Sequence, residues 1–255
     1  MAGAQVAREA RGHCVKAILL CAGRGSRLDP LTAKQPKCLV SVDGHTILDH
    51  QISALQAADI DEIMVVGGYR FDQLDVHIST MPVNRRPELV QNPFWETTSS
   101  IGSVWIARTA LAAPFCLLNG DTIFEPALIR DALGSMKDGI NLVVEHGPPE
   151  TDDMRVAASK GRIITVGKLL CPLVGSARSL GIILSPDSDG GQYKSALEAV
   201  IGQPKGEQLF HHDIIDRIAQ TSIVHALTVE GYAWQEIDRP EDIVAWERRS
   251  MRNAA

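Results

Sequence analysis

The sequence predicts an α/β fold organised around a layered sheet, and three features of its pattern carry that prediction. Apolar runs too continuous for a half-exposed strand, such as Val15–Cys21, alternate with stretches of helical spacing. Several of those runs end in turn chemistry, as at Ala22-Gly23-Arg24-Gly25, Gly67-Gly68 and Asn119-Gly120-Asp121. Beyond Glu145 the rhythm changes to short strands joined by tight turns, which marks antiparallel pairing. Strand–helix alternation implies parallel pairing with right-handed crossovers. The second half then adds antiparallel strands as a lid or acceptor pocket.

Taken in order, Val15–Cys21 is a buried strand that opens a glycine loop. Thr46 followed by Asp49 is a capping box and starts a helix over Ile47–Ala58. Ile63–Val66 is a second buried strand, Phe71–Ile78 a short helix and Glu88–Gln91 a weaker strand. Ser100–Leu111 has helical spacing through Ile101, Val104, Trp105 and Arg108. Phe115–Leu118 is a strand, Pro126–Met136 a helix with proline in its tolerated first turn, and Ile140–Val144 a strand. Met154–Ser159, a Lys160-Gly161 turn and Arg162–Val166 form a hairpin. Leu180–Leu184 and Ala233–Ile237 are strands; Tyr193–Ile201, Phe210–Ile218 and Pro240–Arg252 are helices.

Composition narrows the function. The 255 residues carry 25 basic and 31 acidic side chains, a net charge of −6, with 45% apolar residues. Such a chain can bury a core, which excludes disordered and collagen-like classes. Net acidity without a basic run argues against nucleic acid or a membrane as partner, but a single nucleotide needs only a local positive pocket. The five cysteines are odd in number and form no C-x-x-C pair, which favours a reducing compartment. The apolar run Ala17–Ala22 is too short for a signal segment or a membrane span. A cytoplasmic location is therefore expected.

The glycine loop Gly23-Arg24-Gly25-Ser26-Arg27-Leu28 suits close approach of backbone N–H groups to phosphate, with Arg24 and Arg27 adding charge. A plain tight turn explains the glycines equally well. No G-K-[ST] follows, so it is not a P-loop, and Leu28 replaces the third glycine of a dinucleotide fingerprint. The longer pattern is more specific. Gly23-x-Gly25-x-Arg27-Leu28-x-Pro30-Leu31-Thr32, then Pro36-Lys37-x-Leu39 and Val42-x-Gly44, resembles the signature of the nucleoside-triphosphate transferase superfamily. That resemblance implies a Rossmann-like, GT-A-like layered mixed sheet with a small antiparallel acceptor or lid subdomain. It also implies pyrophosphate release, with Arg27 and Lys37 on the triphosphate and Leu20, Ala22, Gly23, Gly25 and Ser26 beside the nucleotide. Fixed cations there would stabilise charge growing on the leaving pyrophosphate.

Asn119-Gly120-Asp121 follows a buried strand at the end where open α/β sheets bind ligands, although the same tripeptide is favourable turn chemistry. Late in the chain, Glu236 and Asp238 alternate along a strand and share a face; Asp238 could equally serve helix entry before Pro240. Three such acids suit Mg²⁺, a hard cation that takes carboxylates together with substrate phosphates. The resemblance assigns that metal to Asp121 and Asp238, with Glu236 as third ligand. The runs Asp59–Asp61 and Asp187–Asp189 read as solvated, and His211-His212 as core or solvent residues rather than ligands.

The stretch Gln91–Trp105, followed by Ile106-Ala107-Arg108, resembles the phosphocholine cytidylyltransferase branch and its phosphonate-cytidylylating relatives. Asp153-Met154-Arg155-Val156, Ile163–Lys168 and Trp234–Asp238 continue that resemblance, while Ser99-Ser100 replaces asparagines common in the branch. It implies nucleotide contacts from Gln91, Ser100, Gly102 and Ser103. It further implies acceptor contacts from Trp95, Asp153, Tyr232 and Trp234, and a catalytic cation at Lys168. Clustered rings could cage a quaternary ammonium, stack on a base or pack in the core. The expected organisation is one domain over 15–252. Residues 15–145 would bind nucleotide, 146–252 would bind acceptor and complete the metal site, and 1–14 would be an extension. The expected activity is Mg²⁺-dependent transfer of CMP from CTP to a small phospho- or phosphono-alcohol or amine, with homodimer assembly left open. A sugar-1-phosphate nucleotidyltransferase, an inactive nucleotide-binding regulator and, more distantly, a dinucleotide oxidoreductase are the alternatives.

Overall fold

The computed structural model describes residues 15–112, 114–147, 152–171, 173–175, 177–186 and 190–253. The proposed extension 1–14, with Cys14, and the Asp187–Asp189 run lie outside the described residues. The chain starts with β1 (Lys16–Cys21), two 3-10 turns (Ser26–Leu28 and Lys37–Leu39) and a small ribbon of β2 (Ser41–Val42) and β3 (His45–Thr46). Helix α1 (Ile47–Ala57) begins at the predicted capping box. Thr46 Oγ1 accepts from the Asp49 N–H at 3.0 Å, and Asp49 Oδ2 accepts from the Thr46 N–H at 3.2 Å.

Then follow β4 (Ile63–Gly67), α2 (Phe71–Thr80), β5 (Glu88–Gln91) and α3 (Ser100–Ile106). The helix predicted to reach Leu111 ends at Ile106, and a separate 3-10 turn covers Ala110–Ala112. Next come β6 (Phe115–Asn119), β7 (Thr122–Phe124), α4 (Pro126–Gly134), β8 (Ile140–His146), β9 (Arg155–Ser159), β10 (Arg162–Gly167) and β11 (Ala177–Ser185). The chain closes with α5 (Gly190–Ile201), α6 (His212–Ala219), β12 (Val224–Thr228), β13 (Trp234–Glu236) and α7 (Pro240–Asn253). Strands β2, β3, β7 and β12 are the elements that sequence pattern did not reveal.

Nine strands form one mixed sheet in the order β5-β4-β1-β6-β11-β8-β12-β10-β9. Its first four strands are parallel, β11 runs against β6 and β8, and the β9–β10 hairpin is hydrogen-bonded into the same sheet. The continuous apolar runs are explained by burial on both faces. Along β1, Ala17, Leu19 and Cys21 face a core built with Leu48, Leu55 and Leu128. Ile18 faces the opposite core, with Ile101, Tyr193 and Ile214. Helices α1, α2 and α4 therefore cover one face, and α3, α5 and α6 the other. A third small cluster of Leu28, Val40, Val42, Ile47, Ile123 and Ile237 pins the glycine loop against the β7–β13 ribbon. That cluster holds two distant parts of the chain beside each other. No helix among the described residues is long and apolar enough to cross a membrane.

Candidate functional site

The parallel strands deliver their carboxyl ends to one edge. Leu20 is in register with Asn119, and Cys21 with Gly67, so the glycine loop and the Asn119-Gly120-Asp121 turn emerge together. Gly120 is required there: an added Cβ would stand 2.4 Å from the Leu20 carbonyl oxygen. The buried Gln51 side chain of α1 donates to Asn119 O at 2.7 Å and Thr122 O at 2.9 Å, which locks the turn from below. Strand β13 pairs with β7, and the Ile237 N–H donates to Asp121 O at 2.9 Å. This pairing brings Glu236 and Asp238 to Asp121.

The result is a compact knot of charge. Lys37 is only 8% exposed, and its Nζ donates to Asp121 Oδ2 at 2.7 Å and Asp238 Oδ1 at 2.5 Å. Arg27 reaches Asp238 Oδ2 at 2.8 Å and Asp152 Oδ2 at 3.2 Å, while Arg239 reaches the same Asp152 oxygen at 2.9 Å. Burial alone would depress the Lys37 ammonium, but Asp121 and Asp238 reverse this and push it up to about 12. For Asp238, burial works upward, yet Lys37 and Arg27 hold it below the usual carboxylate range. For Glu236, burial and then repulsion from Asp121 and Asp238 outweigh the pull of Lys37 and Arg27 and push it up to about 8.

These residues fit a hard divalent cation. Asp121, Glu236 and Asp238 each offer a ligand atom, all within 4.8 Å of one another. Asp121 Oδ1 is buried without a hydrogen-bond partner, so a bound cation would satisfy an oxygen that the protein leaves bare.

Two cavities meet at this knot and share Arg27, Asp152, Glu236 and Asp238. The first, of about 330 Å³, is lined by Leu20, Ala22, Gly23, Ser100, Ser103 and Trp95 among the predicted residues. Lys168 also lines it, with Nζ 4.8 Å over the Phe210 ring. The second, of about 390 Å³, contains Asp153 and Trp234.

Four predicted nucleotide residues lie elsewhere. Gln91 pairs into β5 with an exposed side chain, and Ser26 is exposed within its 3-10 turn. Gly25, at φ 72°, gives room to the Lys37 stem, whose carbons would stand 2.8 Å from an added Cβ. Gly102 gives room to Thr98. Both glycines act through packing.

The three predicted acceptor rings are also separated, which removes the three-ring cage. Trp95 packs against Tyr69 at 5.3 Å beside the glycine loop. Tyr232 donates its hydroxyl to Asp131 on α4 and lines neither cavity.

Sequence reasoning passed over several lining residues. Asn92 is buried, donates to Ser103 Oγ at 3.1 Å and faces the first cavity. Asp152 bridges Arg27 and Arg239. His211 and His212 are buried, as expected of core residues, and also line the first cavity. His211 Nδ1 lies 3.0 Å from Ser100 Oγ, and His212 Nε2 lies 2.9 Å from Ser179 Oγ. Burial drives the His211 imidazole down to about 4, and burial, His211 and Lys168 depress His212. The Asn92-Pro93 dipeptide and the His211-His212 pair were the available signals.

A layered mixed sheet with a cation–carboxylate knot at its carboxyl edge defines a nucleoside-triphosphate transferase domain. The chain belongs to the MobA-like NTP transferase domain family, whose model matches residues 17–223. Over 230 residues it is 26% identical to the bifunctional IPC transferase and DIPP synthase of Aquifex aeolicus, covering 89% of this chain and 50% of that protein. Over 65 residues, 26% of each protein, it is 51% identical to the CTP:phosphoglutamine cytidylyltransferase of Campylobacter jejuni. A mannose-1-phosphate guanylyltransferase subunit of Drosophila melanogaster also matches. The chain spans about half the length of the first of these relatives. The CTP:phosphocholine cytidylyltransferase of Streptococcus pneumoniae shares the fold, with a TM-score of 0.74 at 20% identity, covering 92% of this chain and 99% of that one.

Proposed function

We propose that this protein transfers CMP from CTP to a small phosphorylated or phosphonate acceptor and releases pyrophosphate. The observation that carries the reading is the meeting of Arg27 and Lys37 with three carboxylates from distant strands where two cavities join. The first cavity receives the nucleotide, against Ala22, Gly23 and Ser103; the second receives the acceptor headgroup. An acceptor phosphate or phosphonate oxygen forms the new bond to the α-phosphorus, and the bond to the α,β-bridging oxygen breaks. The attacking oxygen is already anionic near neutral pH, so no protein general base is needed.

Arg27 and Lys37 stabilise the charge that grows on the departing pyrophosphate. Lys168, from the wall of the first cavity, meets the acceptor's phosphorus oxygens where they approach the nucleotide. Asp121, Asp238 and Glu236 hold Mg²⁺, which when bound supplies the positive charge that lets two anionic groups approach. Cytosine as the base is supported by the cytidylyltransferases among the relatives and structural neighbours. A sugar 1-phosphate as acceptor is the second reading, favoured by the guanylyltransferase match.

The test is pyrophosphate release with four nucleoside triphosphates against phosphocholine, aminoethyl- and hydroxyethylphosphonate and several sugar 1-phosphates. CTP with a small acceptor should turn over, EDTA should abolish activity and Mg²⁺ should restore it. Turnover of sugar 1-phosphates alone selects the second reading. An Asp121→Asn/Asp238→Asn protein that releases pyrophosphate at a comparable rate would show that these carboxylates do not hold the metal.

A further inference from the structure

The indole face of Trp234, the ring best placed in the second cavity, is already covered. Arg178 Cζ stands 4.5 Å over it, within cation–π range. The same guanidinium donates to Glu145 Oε2 through Nε at 3.1 Å and Nη2 at 2.8 Å. Its Nη1 stands 3.9 Å from Asp153 Oδ1. The other Glu145 oxygen accepts the Trp234 indole N–H at 3.1 Å, which fixes the ring in place. A ring below and two carboxylates at the sides make a seat for a cation, and a side chain of the protein occupies it.

That occupancy is built into the sheet. Arg178 on β11 and Glu145 on β8 are register partners on adjacent antiparallel strands, so backbone pairing sets their approach. Trp234 is 6% exposed and cannot turn its face elsewhere without leaving the core it packs in. Among the described residues no second ring completes a cage for a ligand ammonium: Trp95 lies in the first cavity and Tyr232 in neither. Arg249 lines the same cavity, with Nη1 donating to Trp234 O at 2.9 Å. Among the described residues no carboxylate lies within ion-pair distance of Arg249. Of the acids in the lobe, Glu145, Asp152, Asp153 and Asp238 are each paired with one of its arginines and Asp242 accepts from the Asp238 and Arg239 N–H groups, so Arg249 is the cation that presents N–H donors to a headgroup.

We propose that Arg178 is a specificity-determining residue that fills the cation seat formed by Trp234, Glu145 and Asp153. The acceptor lobe then discriminates against quaternary ammonium headgroups and takes headgroups ending in hydroxyl, amide or carboxylate oxygens. The inference rests on the second cavity receiving the acceptor. Removing the guanidinium would leave two carboxylates beside an open indole face, a setting that suits trimethylammonium.

The experiment compares the unaltered protein with Arg178→Ala, Arg178→Gln and Arg178→Lys, each checked for folding by its melting transition. With CTP, kcat/KM is measured for hydroxyethylphosphonate and phosphocholine. In parallel, calorimetry measures phosphocholine binding with no nucleotide present. The unaltered protein should favour hydroxyethylphosphonate at least about tenfold, and the Ala and Gln variants should shift that ratio toward phosphocholine by about tenfold, while Lys keeps it. Phosphocholine should bind the Ala and Gln variants about tenfold tighter than the unaltered protein.

A preference of the unaltered protein for phosphocholine, or equal phosphocholine binding in folded Ala and Gln variants, overturns the proposal. If no acceptor releases pyrophosphate with any variant, the proposed function fails. The calorimetric comparison still decides the role of Arg178.

Discussion

Lys37 sits between two acids that would repel each other without it, and its position answers two needs at once. Its ammonium neutralises Asp121 and Asp238, and its stem fills the space that Gly25 leaves beside the glycine loop. Lys37→Met keeps the stem and removes only the charge, which separates the two roles. We expect Lys37→Met and Arg27→Ala each to lower kcat/KM by about 30- to 1,000-fold, or roughly 2–4 kcal/mol of transition-state stabilisation, with the melting temperature of Arg27→Ala nearly unchanged. Steady-state pyrophosphate release checks this; near-normal kinetics in both variants would remove the loop from the chemistry. At this scale Arg27 and Lys37 were legible through the glycine-loop signature, and Asp121 and Asp238 because each follows closely on a strand end. Of the acceptor rings, Trp234 lines the second cavity, Trp95 the first and Tyr232 neither. Composition near a motif does not say which way a ring faces, and the structure sends Tyr232 to Asp131 instead of a cavity.

At the scale of elements, two substitutions should separate stability from function. Thr46→Ala removes the capping box that starts α1, where Asp49 also meets His77 Nε2 at 3.0 Å. Burial works against the Asp49 carboxylate, but His77 and Thr46 hold it down to about 2. Loss of the Thr46 hydroxyl should cost about 1 kcal/mol, read as a lower melting temperature with kcat unchanged. Gly120→Ala should lower both melting temperature and kcat, because its Cβ would push into the Leu20 carbonyl and displace Asp121. A Gly120→Ala protein with full activity would show that the β6–β7 turn tolerates movement.

The longer elements were readable from their apolar pattern: continuous runs mark strands buried on both faces, as in β1 and β6, and helical spacing marks helices buried on one. Strands β2, β3 and β7 are two or three residues long and exist through their partners, so no local signal marks them. The helix over Ser100–Ile106 stops short of the predicted Leu111 even though its apolar spacing continues.

For the whole molecule, a buried histidine pair beside the first cavity makes stability respond to pH. His211 and His212 are packed at the start of α6 with their imidazoles neutral, and burial takes His211 from 6.5 to about 4. Below pH 6.5 the unfolded chain binds a proton that folded His211 refuses, so the His211 contribution falls as pH drops from about 6.5 toward about 4 and is flat above, while Glu236, raised from 4.5 to about 8, works in the opposite direction across that range. Between pH 7.5 and pH 5, His211 alone should account for about 2 kcal/mol of lost unfolding free energy. Urea denaturation at the two pH values measures the loss, and His211→Asn should reduce it. An unaltered slope in a folded His211→Asn protein would place the titration elsewhere.

By itself, the sequence determined the layered α/β class, the glycine-loop signature and the acids at strand ends. Each of these follows from local rules: period, turn chemistry and residue spacing. Only the tertiary structure decided that Glu236 and Asp238 meet Asp121, that Gln91 faces solvent while Asn92 faces the cavity, and that Arg178 covers Trp234. Those outcomes depend on strand order and register. Pairings such as β13 with β7 and β11 with β8 join residues far apart in the chain, and a shift of one residue would turn every side chain to the other face.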